Sequence, residues 1–229
     1  MSTTLVLLSG GMDSTVALAD ALANGDTVHT LSVNYGQRHV REIDAARAVA
    51  IYYGVPHDIL DLSSFGALVN SSLTSPDMPV PEGAYDAPSM SATVVPNRNA
   101  TFLMAAVGIA QSRGADQVVT AVHAGDHPVY PDCRPEFIDA ANHTAQAATE
   151  GQVTIRAPFV EMSKAAICRY GTRLEAPLHL TWSCYQGRDL HCGRCGTCTE
   201  RAEAFHLADV PDPTEYADPT FWRIALGAR

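Results

Sequence analysis

The chain has 229 residues, of which 46% are hydrophobic, and this size favours one main domain with a large core. Its formal net charge of −10 argues against a broad surface that follows a phosphate backbone, so we expect a small-molecule substrate and no nucleic-acid partner. The N-terminal apolar run, Leu5 to Leu8, is too short for a signal segment or a membrane span, and we expect a cytoplasmic protein without a membrane partner.

The predicted elements alternate between strand and helix. Residues 4–8 form an apolar run without alternation, typical of a strand buried on both faces of a parallel sheet. A helix from Asp13 to Ala23 follows and ends at Asn24 and Gly25, a helix C-terminal signal. Further strands are predicted at 27–33, 57–62, 117–122 and 153–159, and further helices at 42–53, 101–112, 136–148 and from Ser163. This order predicts an α/β, doubly wound, mostly parallel sheet.

Two segments interrupt this pattern. Residues 63–95 are rich in Ser, Pro, Gly and Ala, and such an insert is either a lid over a site or a disordered surface loop. Residues 209–229 contain three prolines, and we expect this tail to wrap the surface.

Four cysteines lie close together in the segment SCYQGRDLHCGRCGTC. They are Cys184, Cys192, Cys195 and Cys198. The spacing favours structural zinc, because four sulfur ligands leave no position for water. A disulfide pair and an iron–sulfur cluster are the alternatives, and His191 could replace one thiolate although it adjoins Cys192. We predict a domain over residues 1–180 and a zinc-binding C-terminal region over residues 181–229.

The segment LVLLSGGMDSTVAL lies between the first strand and first helix, where backbone amides favour an anion. Its glycines allow close approach of phosphate oxygens, its hydroxyls add donors, and Asp13 could hold Mg²⁺. The loop lacks the lysine of a Walker A motif. The predicted nucleotide-binding residues are Leu8, Ser9, Gly10, Gly11, Met12, Asp13, Ser14, Thr15, Val16, Ala17 and Leu18.

The sequence SGGMDS resembles the loop of the PP-loop ATP pyrophosphatases, which cleave ATP between the α and β phosphates. Five further segments resemble the QueC family of 7-cyano-7-deazaguanine synthases: NYGQRHVRE, VPNRNATFL, YPDCRPEF, MSKAAI and TWSCYQG. Together with the loop, these matches extend from Leu5 to about Phe205. The resemblance implies an ATP-dependent ligase that converts 7-carboxy-7-deazaguanine and ammonia into a nitrile. It implies Mg²⁺ with ATP, and we also expect a homodimer.

Several further residues are candidates for the site. Lys164 is predicted to meet phosphate charge, and Arg98 to contact the nucleotide or the substrate carboxylate, although either could be a surface charge. With Asp13, they form the predicted catalytic set. The predicted substrate-binding residues are Asp132, Arg134 and Glu136. Glu136 could instead only stabilise the start of a helix.

Two other cysteines and two histidines could have either a chemical or a purely structural role. Cys133 and Cys168 are more typical of buried small hydrophobes than of the persulfide cysteines of PP-loop tRNA thiolases. His123 and His127 could be hydrogen-bonded loop residues or could deprotonate ammonium. Rival interpretations are a tRNA thiolase, a zinc-stabilised nucleotide-binding module without catalysis, and a ligase for a different carboxylate.

Overall fold

The computed structural model describes residues 1–38, 41–75, 77–85 and 88–227, and its centre is a parallel β-sheet. The strands are β1 (Thr3–Leu7), β2 (Thr27–Asn34), β3 (His57–Asp61), β4 (Gln117–Val119) and β5 (Thr154–Arg156). They lie in the order β3-β2-β1-β4-β5, and every pair is parallel. The chain reverses its direction of travel across the sheet beside β1, and in such sheets a ligand crevice forms at that point.

Helices connect and cover the strands. They are α1 (Met12–Ala23), α2 (Arg41–Tyr53), α3 (Ser63–Gly66), α4 (Arg98–Ser112), α5 (Pro135–Ala148), α6 (Lys164–Arg173), α7 (Gly196–Ala208) and α8 (Phe221–Ala225). The predicted doubly wound class is confirmed. Helix α4 begins three residues before the predicted start and therefore includes Arg98, and helices α7 and α8 were not predicted from the sequence.

Two hydrophobic layers enclose the sheet. On one face Val6 and Leu8 pack with residues of α1, α2, α6 and α7, while on the other Leu5 packs with residues of α4 and α5. Leu5 and Val6 are 1% and 0% exposed, so β1 is buried on both faces as its apolar run predicts. Because β1 is the middle strand and is buried, it fixes the position of the loop that follows it.

The insert and the tail both contact the cysteine segment. Glu82 and Cys195 form an isolated antiparallel bridge, and Gly83 N–H donates to the Arg194 carbonyl at 3.0 Å. In the tail, Tyr216 forms a bridge with His191. The described part of the insert is therefore attached to the C-terminal region. No helix among the described ranges is long and apolar enough to cross a membrane.

Candidate active site

The loop between β1 and α1 is shaped by glycine and by its own hydroxyls. Gly10 has a φ of +86°, and a Cβ there would collide with the backbone carbonyl of Glu42. Ser14 Oγ lies 3.0 Å from Ser9 Oγ, accepts from Ser9 N–H at 3.1 Å and donates to the Gly11 carbonyl at 3.1 Å. These contacts hold the loop in one shape.

The start of helix α1 is suited to an anion. Gly11 is the N-cap residue, and no side chain in the described part of the chain caps the amides of the first turn. The uncapped N–H groups and the helix dipole together favour negative charge at this end. The segment after helix α6 supports the loop from the other side, because Trp182 N–H donates to the Gly10 carbonyl at 2.9 Å.

Lys164 lies between two carboxylates at this end of the sheet. Its Nζ is 2.9 Å from Asp13 Oδ2 and 2.9 Å from Glu200 Oε2, and its side chain is only 12% exposed. Burial disfavours the charged amine, but Asp13 and Glu200 outweigh burial and raise the pKa of Lys164 well above its usual range. Lys164 is also the only lysine in the sequence. A cation therefore stands beside the loop between β1 and α1.

The two carboxylates respond differently to this environment. Burial opposes ionisation of Asp13, but the charge and hydrogen bond of Lys164, together with His123 and Arg201, outweigh burial and hold the pKa of Asp13 below its usual value. Burial dominates at Glu200 and raises its pKa despite Lys164. Asp13 Oδ1 is buried and has no hydrogen-bond partner among the described residues. That oxygen is free to bind a cation such as Mg²⁺, which prefers carboxylate ligands.

His123 completes this cluster from the segment that follows β4. It is 2% exposed, and its Nε2 lies 3.3 Å from Lys164 Nζ and 3.6 Å from Asp126 Oδ1. Its Nδ1 accepts the N–H of Gly125 at 3.0 Å. His123 is therefore a hydrogen-bonded residue beside Lys164 and the carboxylates, and its alternative role in deprotonating ammonium stays a prediction. His127 does not join the cluster in the cavity wall.

Arg98 forms the centre of a second group, which we call the aromatic chamber. It comprises Arg98 with Tyr35, Tyr85, Phe102, Tyr130 and Tyr185. The Arg98 guanidinium lies 5.8 Å from the centre of the Tyr35 ring and 5.9 Å from that of Tyr130. Burial raises the pKa of Tyr35 to about 12, so this neighbour stays neutral. The chamber therefore offers flat apolar walls and one fixed positive charge.

One cavity of about 240 Å³ joins the loop, the lysine cluster and the aromatic chamber. From the predicted site, its wall includes Leu8, Ser9, Gly11, Met12, Asp13, Ser14, Arg98 and Lys164. Val16, Ala17 and Leu18 are instead fully buried in the core beneath the loop. The structure thus brings Asp13, Lys164 and Arg98 to a single cavity, which gathers the predicted catalytic set.

The three predicted substrate-binding residues do not line this cavity. Asp132 accepts the N–H of Asn99 at 2.9 Å and supports the start of helix α4. Arg134 is exposed and donates to the His127 carbonyl at 3.0 Å, and Glu136 is exposed in the first turn of α5. From this segment only Cys133 lines the cavity, and burial raises its pKa well above the usual value, which disfavours a thiolate nucleophile.

The four predicted metal ligands converge in a separate cluster. The sulfur atoms of Cys184, Cys192, Cys195 and Cys198 all lie within 4.8 Å of one another. The Sγ atoms of Cys192 and Cys198 are 3.9 Å apart, and a tetrahedral site with about 2.3 Å zinc–sulfur bonds spaces its sulfurs by about 3.8 Å. The four residues can therefore hold one metal ion.

Backbone amides support the same assignment. Cys184 Sγ accepts N–H groups from Gln186 and Cys192 at 3.3 Å each, and Cys192 Sγ accepts from Arg194 and Cys195 at 3.3 Å each. Such bonds stabilise thiolates, the form that binds metal. His191 is not part of the group, because its Nε2 accepts from Ser183 N–H at 3.2 Å and its ring stacks on Trp182.

Sequence reasoning did not assign several cavity residues. They include Tyr35, Glu42, Tyr85, Asp126, Trp182 and Tyr185 in the wall, and Glu200 behind Lys164. Tyr35 and Glu42 belong to the segment NYGQRHVRE, and Tyr185 to TWSCYQG, so the segment matches contained the signal. The sequence held no such signal for Glu200, because this residue lies 187 positions after Asp13 in a helix that was not predicted.

Comparison with known proteins gives matches over almost the whole chain. The family model described as "Queuosine biosynthesis protein QueC" matches residues 3–209. The 7-cyano-7-deazaguanine synthase of Rhizobium meliloti is 51% identical over 227 residues, which cover 98% of this chain and 96% of that protein. Those of Ruegeria pomeroyi and Brucella canis are 50% and 48% identical over 228 residues, covering 99% of this chain and 99% and 98% of theirs.

Solved structures share the fold at low identity. NMN synthetase from Francisella tularensis has a TM-score of 0.53 at 16% identity, and the match covers 100% of this chain and 87% of the synthetase chain. A predicted subunit of tRNA methyltransferase from Methanocaldococcus jannaschii has a TM-score of 0.51 at 14% identity and covers 75% of each chain. The family match, together with relatives of about 50% identity, shows that this chain belongs to the QueC family of queuosine biosynthesis proteins.

Proposed function

We propose that this protein is a 7-cyano-7-deazaguanine synthase, an ATP-dependent ligase that converts 7-carboxy-7-deazaguanine and ammonia into the nitrile. The observation that carries the proposal is one cavity that joins the glycine loop and Lys164 to an aromatic chamber containing Arg98. The loop suits a polyphosphate, and the chamber suits a flat heterocyclic acid. Relatives of that name, about 50% identical over nearly the whole chain, support the assignment.

The chemistry explains why such a cavity needs a phosphate site. Making a nitrile from a carboxylate removes both oxygens, and neither hydroxide nor oxide is a workable leaving group. Adenylation of the carboxylate, with release of pyrophosphate, gives a mixed anhydride that ammonia attacks, and AMP leaves as the amide forms. Adenylation of the amide oxygen then allows loss of AMP and a proton to give the nitrile. Each nitrile therefore consumes two ATP.

The residues of the cavity divide this work. In the proposal, the amides at the start of α1 bind the β and γ phosphates, and Lys164 neutralises charge that develops as pyrophosphate leaves. Arg98 holds the substrate carboxylate close to the α phosphate. Asp13 would hold Mg²⁺ through its unpartnered Oδ1, and that ion would offset phosphate charge.

We propose that Cys184, Cys192, Cys195 and Cys198 hold a structural zinc ion, since four thiolates leave no ligand position for water. We also propose that the protein is a cytoplasmic homodimer. We propose that it acts on small molecules and not on nucleic acid, and the net charge of −10 supports this last point.

The first prediction concerns stoichiometry. Supplied with the acid, ammonium and ATP, the protein is expected to form two AMP and two pyrophosphate per nitrile, whereas supplied amide is expected to consume one ATP. The reason is that each carboxylate oxygen leaves with one AMP, and the amide has only one such oxygen left. Because the cavity has one glycine loop, both adenylations share it. AMP and nitrile are quantified by chromatography and mass spectrometry from each substrate. One AMP per acid, with amide as the final product, would instead indicate a ligase that stops at the amide.

The second prediction concerns Asp13. Asp13→Asn is expected to lower pyrophosphate release from the acid by about 100-fold or more, because the variant loses a Mg²⁺ ligand and a charge partner of Lys164. Raising the Mg²⁺ concentration should recover part of the rate. Asp20→Asn is the matched control, since Asp20 lies in the same helix but pairs with Arg156 outside the cavity. Equal rates for Asp13→Asn and wild type would remove Asp13 from the proposed mechanism.

A further inference from the structure

Glu42 is a carboxylate of the cavity wall to which the mechanism above gives no role. It lies in the first turn of α2, and its backbone carbonyl packs against Gly10 of the nucleotide loop. Its charge interacts with Arg98, and it lies close enough to Tyr35 and Tyr185 to raise the pKa of each. Glu42 therefore stands where the loop meets the aromatic chamber, in a position fixed by its helix.

The carboxyl of Glu42 makes no hydrogen bond to any residue that the structure describes. Burial raises its pKa to about 7, and the positive charge of Arg98 only partly opposes this effect. The other two cavity carboxylates are engaged, because Asp13 binds Lys164 and Asp126 accepts from Tyr85 Oη at 3.0 Å. Glu42 is half-buried, and a carboxylate that a bound ligand covers is costly unless the ligand supplies donors to it.

The proposed substrate carries donors of the required type. One edge of a 7-deazaguanine presents the ring N1–H and the 2-amino group side by side, and a carboxylate can accept from both at once. The opposite part of the molecule carries the negatively charged carboxylate, for which Arg98 is the cation in the chamber. The pair of Glu42 and Arg98 thus matches the two polar ends of a flat molecule held between aromatic walls.

We infer that Glu42 is the residue that recognises the guanine-like edge of the substrate, by accepting hydrogen bonds from N1–H and the 2-amino group. The inference rests on the proposed function and deepens it, because Asp132 and Glu136 lie outside the cavity wall. An analogue without the 2-amino group leaves one oxygen of Glu42 unpaired, and sites built around such a bond reject analogues strongly.

The test compares nitrile formation from the normal acid and from its analogue with hydrogen in place of the 2-amino group. Wild type is expected to prefer the normal acid by about 100-fold or more in kcat/KM. Glu42→Gln is expected to bring the two values to within about threefold, because the glutamine amide can accept from N1–H but presents its own donors to the 2-amino group. The KM for ATP is expected to stay within about twofold of the wild-type value.

Two further variants complete the design. Glu42→Asp keeps the charge on a shorter side chain, so a preference for the normal acid of at least about tenfold is expected to remain. Asp44→Asn alters an exposed carboxylate of the same helix that pairs with Arg47, and its preference is expected to equal that of wild type.

The possible failures are distinguishable. Wild type that forms nitrile while Glu42→Gln retains the full preference would overturn the inference alone. The same conclusion follows if Glu42→Gln raises the KM for ATP at an unchanged preference, since Glu42 would then serve the nucleotide. Wild type that forms nitrile from neither compound would overturn the proposed function, and the inference with it.

Discussion

Lys164→Ala is expected to reduce nitrile formation by about 100-fold to 1,000-fold, both from the acid and from supplied amide. Lys164 is the only lysine of the chain, and it lies 2.9 Å from Asp13 beside the uncapped start of α1. Both half-reactions release pyrophosphate from the same loop, so loss of this cation slows each of them. AMP formation in single-turnover experiments with each substrate measures the effect.

The control for this variant is Arg169→Ala, which removes an exposed cation from the same helix and should leave both rates unchanged. Lys164→Ala also leaves Asp13 and Glu200 without their buried cation, so its melting temperature must be measured alongside activity. Lys164→Arg preserves the charge and tests whether charge alone is sufficient. A folded Lys164→Ala protein with wild-type conversion of the amide would contradict a shared phosphate site.

Cys195→Ser is expected to lose the bound metal and to lower the melting temperature by about 10 °C or more. Loss of a structural metal costs several kcal/mol, and in a domain of this size each 1 kcal/mol shifts the midpoint by roughly 2–4 °C. Cys195 is fully buried, is the N-cap residue of α7 and forms a bridge with Glu82. Because Glu82 leads to Tyr85 in the cavity wall, activity is expected to fall with metal content.

Metal content is measured by elemental analysis of the purified protein, with about one zinc per chain expected for wild type. Cys168→Ser is the matched control, since Cys168 is equally buried but lies in the hydrophobic core outside the cluster. It should keep the metal and lose only packing stability. Iron and inorganic sulfide in place of zinc would support the iron–sulfur alternative, and full metal retention in Cys195→Ser would remove that residue from the ligand set.

Local sequence signals predicted much of the fold. The unalternating apolar run of β1, the C-terminal signal of α1 and the alternation of elements depend on neighbouring residues, and the structure confirms the parallel sheet they imply. Ser163 was predicted to open a helix, and its side chain accepts the N–H of Ala166 at 3.3 Å at the start of α6. Such features are readable because a few adjacent residues determine them.

Helix α7 lacked a readable signal for a physical reason. Ten of its thirteen residues are buried, including polar ones such as Thr199, Glu200 and Arg201, so no polar face alternates with an apolar one. Arg201 is 1% exposed and donates to Thr181 Oγ1 at 2.8 Å and to the Leu178 carbonyl at 3.0 Å. Periodicity finds helices with one exposed face, and α7 has almost none. The predicted division at residue 180 stays a prediction.

The sequence by itself determined the glycine loop and the cysteine cluster, because each lies within about fifteen consecutive residues whose spacing already sets their geometry. Only the tertiary structure decided which charges share the cavity. It placed Lys164 between Asp13 and Glu200, directed Asp132 away from the wall and brought Glu42 to the chamber of Arg98. These contacts join residues far apart in the chain, and they exist only because the packed strands and helices hold them together.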